Sequence, residues 1–224
     1  MRYLTAEDHQ IVSSAVAEAE SRTSGEIVTV LADRSDEYGD VRLAWSALIS
    51  FLALGTFALF ADDYLARVDR LTSGWNSDWS PPSLLFLALA LVTLIFAAVW
   101  LLLLIDNVRF LLVPGPIKSG RVQARAIAHF KVGAERRTHG RTGVLIYLSM
   151  REHRAEIIAD ESIADKVDPE VWGEAMADML AYVRDGKIAE GLAAGARDVG
   201  AVLTEFFPCD ADDGNELPDR LIEV

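Results

Sequence analysis

The sequence has little cysteine and few basic residues, and each shortage excludes a class of protein. Cys209 is the single cysteine among 224 residues, so an intramolecular disulfide and a cysteine-based zinc site are excluded. The 21 Lys and Arg face 34 Asp and Glu, and the net charge of -13 argues against nucleic acid as a partner. The chain also lacks a P-loop, a G-x-S-x-G motif, an H-E-x-x-H motif and EF-hand spacing. No common catalytic motif therefore assigns a function.

Two runs without ionisable side chains explain why 51% of so acidic a chain is hydrophobic. They cover residues 43–61 and 81–105, and as helices they would be roughly 28 and 37 Å long, against a hydrocarbon core of about 30 Å. A pair of transmembrane helices forming one hairpin in the lipid bilayer is the favoured interpretation. The alternative for each run is a helix buried in a globular core. This alternative has more weight for the first run, which is shorter and contains Gly55. Neither run follows a basic stretch as a signal peptide would, so both are expected to be retained.

The charges beside the two runs predict the orientation of the hairpin. The connecting loop, 62–80, contains Arg67 and Arg70 against four Asp residues. The excess of Lys and Arg on the other side places both termini and the rest of the chain in the cytoplasm. Gly55 and the alanines of both runs would permit close helix contacts, within the hairpin or in a homo-oligomer. The basic residues on the side of the termini are Arg34, Arg42, Arg109, Lys118, Arg121 and Arg125.

The remaining residues show the patterns of an α/β domain. Thr5 and Asp8 suit the start of a helix over 6–21, and Asp168 followed by Pro169 suits the start of another, ending near Arg184. Apolar, β-branched segments predict strands, the first two joined by a long crossover and therefore parallel, the last two forming an antiparallel hairpin. The predicted strands are 26–32, 142–149 and 154–159, and further helices are predicted at 120–138 and 187–207.

Three segments of the second half, RTGVLIYLS, HRAEIIADESIADKV and GKIAEGLAAGARDVGAVLTEFFP, resemble the TPM domain family. More closely, they resemble its bacterial subgroup in which a membrane hairpin interrupts the domain. The resemblance covers about residues 5–33 and 118–208. The matching positions are Arg141, Thr142, Gly143, Arg154, Asp160, Ile163, Val167, Trp172, Gly186, Gly191, Gly200 and Pro208.

This resemblance implies a Rossmann-like α/β/α sandwich with a small mixed sheet, in a bacterial inner membrane protein. Some members of the family are associated with acid phosphatase activity, divalent-cation binding and photosystem repair, and an animal member acts as an auxiliary membrane protein for receptors. Residues 1–42 and 106–208 would form the two parts of the domain around the hairpin at 43–105. Residues 209–224 are expected to be an acidic, disordered tail.

One edge of the predicted sheet, at the start of strands one and two and the end of strand three, gathers the candidate site residues. Glu26, Asp160 and Asp165 are candidate ligands of Ca²⁺ or Mg²⁺, which prefer oxygen donors. The alternative is structural, with Asp160 capping the short helix after it and pairing with an arginine. At this edge Arg137, His139 and Arg141 are candidates to hold an anion such as phosphate or to form salt bridges. Arg154, the first residue of strand three, is a further candidate for these contacts.

Ligands of open α/β sheets often bind beyond strand carboxyl ends, but the charges at the opposite edge are interpreted as solvated surface charge. They are Asp33, Arg34, Asp36, Arg151, Glu152 and His153. Two functions remain open. The first is a non-enzymatic module, anchored in the membrane, for binding, assembly or maintenance of other membrane proteins. The second is a phosphatase that uses a divalent metal to polarise the phosphoryl oxygen and activate water.

Overall fold

The structure is a computed structural model that describes residues 3–71, 79–133, 142–209 and 220–224. The chain divides into two compact units, one formed by 1–36 with 114–224 and the other by 37–113. The helices are α1 (Ala6–Glu20), α2 (Gly39–Leu59), α3 (Ala61–Leu71), α4 (Pro81–Leu102), α5 (Asp106–Leu112), α6 (Gly115–Gly133), α7 (Glu161–Ala164), α8 (Pro169–Arg184) and α9 (Ile188–Phe206). The strands are β1 (Glu26–Ala32), β2 (Gly143–Ser149), β3 (Arg154–Ala159) and β4 (Ile222–Glu223).

Local sequence signals set several of these boundaries. The Thr5 hydroxyl accepts a hydrogen bond from the Asp8 backbone N–H at 3.2 Å, and the Asp8 carboxylate accepts from the Thr5 backbone N–H at 2.8 Å, which completes a capping box for α1. Asp168 caps α8, whose first residue is Pro169. These interactions confirm the predicted starts of both helices.

The larger unit is built on a mixed sheet with the strand order β3-β2-β1-β4. β1 and β2 are parallel, with Glu26 opposite Gly143, and β2 and β3 are antiparallel, with Ser149 opposite Arg154. All residues of β1 and β2 are buried, because helices cover both faces of the sheet. The predicted parallel crossover and antiparallel hairpin are confirmed.

The two faces of the sheet form separate cores, which makes the unit an α/β/α sandwich. Ile27 and Leu31 point to the layer of α1, α8 and α9, where they pack with residues such as Leu192. Alternate residues of β1 point to α6, where Val28 and Val30 pack with residues such as Phe130. The predicted fold class is therefore confirmed.

α1 and α9 approach each other closely in the first of these layers. A Cβ atom added at Gly200 of α9 would lie 2.4 Å from the Cβ of Ala19 on α1. The small side chains therefore allow the two helices to contact along their backbones, and each helix buries an apolar stripe against the sheet.

The C-terminal residues correct the expectation of a disordered tail over 209–224. The described residues 220–224 include β4, in which Ile222 and Glu223 pair with Val30 and Leu31 of β1. The Nε2 atom of His9 lies 2.6 Å from a carboxylate oxygen of Glu223, adding a side-chain contact. The edge of β1 offers backbone groups that need hydrogen-bond partners, and the end of the chain supplies them.

The smaller unit contains the two apolar runs. α2 and α4 are long and apolar enough to cross a membrane by length and composition, with mean hydropathies of 1.6 and 2.8. They begin and end within a few residues of the predicted spans, and α3 occupies part of the predicted loop. A Cβ at Gly55 would meet no atom within 4 Å, so Gly55 makes no close helix contact within the described hairpin.

Candidate functional site

A polar network lies at the carboxyl ends of the parallel strands β1 and β2, the position where open α/β sheets commonly bind ligands. It is formed by residues that follow β1, by the end of β2 and by the turn between β2 and β3. His153 in this turn has a φ of 51°, a backbone conformation that few non-glycine residues adopt. The members are Asp33, Ser35, Tyr147, Ser149, Arg151 and Glu152; we call them the carboxyl-end network.

Glu152 is the centre of this network. Its side chain is buried, and its carboxylate accepts hydrogen bonds from the Ser149 hydroxyl at 2.5 Å and from the Ser35 backbone N–H at 2.9 Å. The Ser35 hydroxyl lies 3.1 Å from the Tyr147 hydroxyl and donates to Ser149 Oγ at 3.1 Å. These contacts join the segment after β1 to the turn after β2.

A second part of the network surrounds Asp33. The Asp33 carboxylate accepts a hydrogen bond from the Tyr3 hydroxyl and lies 3.3 Å from Nε of Arg151. The hydrogen bond from Tyr3, followed by that from Arg151, lowers the pKa of Asp33 despite partial burial, while burial and Asp33 raise the pKa of Tyr3. Asp33 is therefore held as a carboxylate at neutral pH.

Helix α6 covers the network from one face of the sheet. The His129 ring stacks on the Tyr147 ring at 5.7 Å between centroids, and Arg121 forms an ion pair with Asp36 at 3.2 Å. Burial, and secondarily Arg125, lowers the pKa of His129, and burial likewise raises the pKa of Tyr147. Both rings are therefore neutral near pH 7, and they pack as part of the core.

The predicted metal edge lies at the other end of the sheet. Glu26 and Asp160 both flank Gly143: Glu26 is its register partner, and the Asp160 carboxylate accepts from the Gly143 backbone N–H at 3.0 Å. Both are buried, whereas Asp165 ends the short helix α7 and is exposed. Asp160 occupies the N-cap position of α7, but its side chain makes no capping hydrogen bond, which corrects the expected role.

The candidate ligands are not assembled into a cation site in the described part of the chain. Among residues 3–71, 79–133, 142–209 and 220–224, no group of three or more His, Cys, Asp or Glu is arranged to hold a metal ion. Glu26, Asp160 and Asp165 thus do not form such a group. Three anion candidates, Arg137, His139 and Arg141, lie outside the described residues.

Arg154 lies at the start of β3 and is exposed, at the end of the strand opposite to Asp160. Arg154 therefore lies away from the predicted metal edge, and its role in anion binding stays a prediction. From the sequence, Asp33, Arg151 and Glu152 were expected at this edge as surface charge. Ser35 and Ser149 were not expected there, because only the fold brings these isolated polar residues to Glu152. The rule that ligands bind at the carboxyl ends of parallel strands was the one signal that could have identified this edge as a candidate site.

The chemistry of the carboxyl-end network follows from burial. Tyr147 and Ser149 are 0% exposed and Glu152 is 3% exposed, so a substrate cannot reach these hydroxyl and carboxylate groups in this conformation. His153 is exposed, whereas Asp33 and Arg151 are half-buried, and these three form the accessible rim. The interior of the network stabilises the loops, and the rim can make polar contacts with another molecule.

A shallow groove of about 340 Å³ lies on the far side of the helical layer, between α1 and α9. Its lining includes Ala19, Gly200, Arg22 and Arg197. Arg22 already pairs with Glu18 at 2.9 Å, and both side chains are more than half exposed. This surface pair contributes little to stability.

Comparison with known proteins agrees with the fold. Residues 112–202 match the family model of the TPM domain. The NMR structure of the BA42 protein from the psychrophilic bacterium Bizionia argentinensis is similar with a TM-score of 0.57 and 19% identity, covering 100% of this chain and 97% of that chain. No curated protein matches the sequence. Residues 112–202 of the unit that carries the mixed sheet are thus similar to the TPM domain, and the fold of the chain is that of a TPM-type structure.

Proposed function

We propose that the chain is a membrane-anchored, non-enzymatic module whose TPM domain binds another membrane protein through the rim of the carboxyl-end network. The observation that carries this proposal is the burial of the network's hydroxyl and carboxylate groups behind a rim of Asp33, Arg151 and His153. Catalytic groups must touch the substrate, whereas a binding surface needs only accessible polar groups on a rigid support.

The anchor is supported by the apolar surface of α2 and α4. In the most apolar 18-residue stretch of each helix, only 22% of the residues of α2 and 6% of those of α4 are buried. Large side chains such as Phe51, Leu85 and Phe86 are more than two-thirds exposed. Exposed apolar surface of this extent is expected where a lipid bilayer covers it. The charges beside the hairpin favour a cytoplasmic α/β domain, and the resemblance to the bacterial subgroup favours the inner membrane as the location.

The anchoring is tested by extracting membranes of expressing cells with alkaline carbonate. We expect the chain to stay in the membrane pellet and to be released only by detergent. Release of the chain by carbonate without detergent would refute the membrane anchor.

The binding face is tested by introducing a photo-crosslinking amino acid into the full chain in intact membranes, in place of exposed His153. The matched control carries the same group in place of Glu161, which is exposed at the opposite edge of the sheet. We expect a crosslinked membrane protein from position 153 and none from position 161. Equal crosslinking at both positions, or none at position 153, would contradict the proposed face.

The metal-dependent phosphatase is the alternative, motivated by the resemblance and by Glu26 and Asp160 flanking Gly143. It is tested by assaying the detergent-purified chain against a generic phosphomonoester with millimolar Mg²⁺ or Ca²⁺. A binding module should show no hydrolysis above the background of an Asp160→Asn, Asp165→Asn variant. Metal-dependent hydrolysis by the wild type that this variant lacks would replace the binding module with the enzyme.

A further inference from the structure

Arg42 and Trp100 form a cation–π pair at one end of the unit 37–113. Arg42 lies in the first turn of α2, and its guanidinium carbon is 4.0 Å from the centroid of the Trp100 ring, close to the end of α4. The start of α2 and the end of α4 are therefore adjacent in the hairpin. The indole ring supports the flat face of the guanidinium and leaves the edges of the guanidinium for hydrogen bonds.

The guanidinium of Arg42 is not neutralised by an ion pair within the described chain. Its Nε atom is buried without an acceptor, and no ion pair joins Arg42 to another of the described residues. Arg109 of the same unit also has a buried Nε without an acceptor, but one of its terminal nitrogens pairs with Asp106 at 2.5 Å. Because the Nε atom is enclosed by the protein, the terminal nitrogens of the guanidinium are the groups through which Arg42 can bind an acceptor from outside the described residues.

The backbone around Arg42 favours an anion as that acceptor. α2 begins at the N-cap Tyr38 without a side-chain capping hydrogen bond. The N-terminal end of a helix has a positive potential from its unpaired N–H groups; in the first turn of α2, Arg42 adds a positive charge and Asp40 a negative one. A phosphate can accept two parallel hydrogen bonds, one at each of two oxygens, from the fork of N–H donors on an arginine.

The location indicates where the phosphate comes from. Arg42 directly precedes exposed apolar residues of α2, such as Leu43 and Leu48, and tryptophan rings are enriched at the boundary between headgroups and hydrocarbon. We propose that Arg42, supported by Trp100, binds the phosphate of an anionic phospholipid headgroup. This inference rests on the membrane anchor proposed above, and it adds a specific lipid site to that anchor.

The test is lipid binding by the full chain in detergent, measured by native mass spectrometry with phosphatidylglycerol and, separately, phosphatidylcholine. We expect the wild type to retain phosphatidylglycerol preferentially, and Arg42→Gln to weaken that binding about tenfold, as expected for the loss of a charge-assisted hydrogen-bonded contact. Arg42→Lys, which keeps the charge but loses the planar fork, should give an intermediate affinity. Circular dichroism of each variant verifies that the helices are retained.

The matched control is Arg67→Gln, because Arg67 also lies over an aromatic ring, that of Tyr64, at 5.6 Å in α3 of the same unit. This variant should bind phosphatidylglycerol as the wild type does. Equal affinity of the wild type and Arg42→Gln, or an equal loss in Arg67→Gln, would overturn the lipid site.

Two further measurements separate the sources of phosphate and the two proposals. Millimolar inorganic phosphate should not displace the lipid; displacement would assign the site to a soluble phosphate and overturn the lipid assignment. Unchanged lipid binding by Arg42→Gln in a chain that resists carbonate extraction would refute the lipid site alone. Release by carbonate would instead refute the anchor on which the site depends.

Discussion

The close approach of α1 and α9 gives the sharpest test of the packing. In a Gly200→Ala variant, the new methyl group would lie 2.4 Å from the Cβ of Ala19 and 3.1 Å from its Cα, so α1 must move away from α9. Overpacking of this kind costs about 1–3 kcal/mol. We take the upper end, because the second atom in the clash belongs to backbone.

The same substitution has a compensating effect on the helix itself. Alanine is about 1 kcal/mol better than glycine inside a helix, so the expected net destabilisation is about 2 kcal/mol. For a chain of this size, that corresponds to a melting temperature about 4–8 °C lower. The measurement is thermal unfolding of the full chain in detergent, followed by circular dichroism.

Gly173→Ala is the matched control, since Gly173 lies in α8 and an added Cβ there would meet no atom within 4 Å. It should raise the melting temperature by the helix-propensity gain alone. An Ala19→Gly, Gly200→Ala double variant should recover part of the loss. A Gly200→Ala protein at least as stable as the wild type would show that α1 and α9 are not packed as described.

Three further predictions concern the carboxyl-end network and its surroundings. Glu152→Ala should leave the Ser149 hydroxyl and the Ser35 N–H without their acceptor and destabilise the domain by about 1–3 kcal/mol per donor. In thermal unfolding, the loss of stability should be clearly larger than that of Ser149→Ala, and an equal loss in the two variants would contradict this. The hydrogen bond from Tyr3 is the main cause of the lowered pKa of Asp33 in the folded state. The stability that ionised Asp33 contributes to the fold is therefore complete above its unfolded pKa of about 3.9, and it is lost as the pH falls through the folded pKa. Tyr3→Phe should therefore reduce stability at pH 7 but much less in strong acid; a pH-independent difference would be the wrong outcome. Burial lowers the pKa of His129, so on acidification the unfolded chain takes up a proton before the folded chain does, and the free energy of unfolding should fall as the pH drops below about 6.5. His129→Gln should reduce this dependence of the free energy of unfolding on pH, as measured by urea titrations at several pH values.

The parts of the fold that depend on local signals were predictable from the sequence. The Thr5–Asp8 capping box, the Asp168–Pro169 start of α8 and the apolar β1 each depend on neighbouring residues, and the structure has them where they were expected. The two apolar runs are helices because a long uncharged segment leaves few alternatives.

The parallel pairing of β1 and β2 was predictable, but contacts that depend on the return of the chain end or on side chains meeting across strands were not. β4 has only two residues, and its pairing with β1 depends on the end of the chain returning to the sheet. The carboxyl-end network likewise joins Ser35 to Glu152 across the register of two strands that are far apart in sequence. Its residues therefore looked like ordinary surface charge, and Asp160 looked like a helix cap although its carboxylate bonds to Gly143.

The insertion of the hairpin between β1 and β2 has a consequence for biosynthesis. β1 is made early, and every one of its seven residues is destined for the interior, yet its parallel neighbour emerges from the ribosome only after both apolar helices. During that interval an apolar segment has no sheet to join, and unpaired strands of this kind aggregate readily. Assembly of the domain must therefore wait for the hairpin to be completed, which couples folding of the sheet to the fate of the helices that interrupt it.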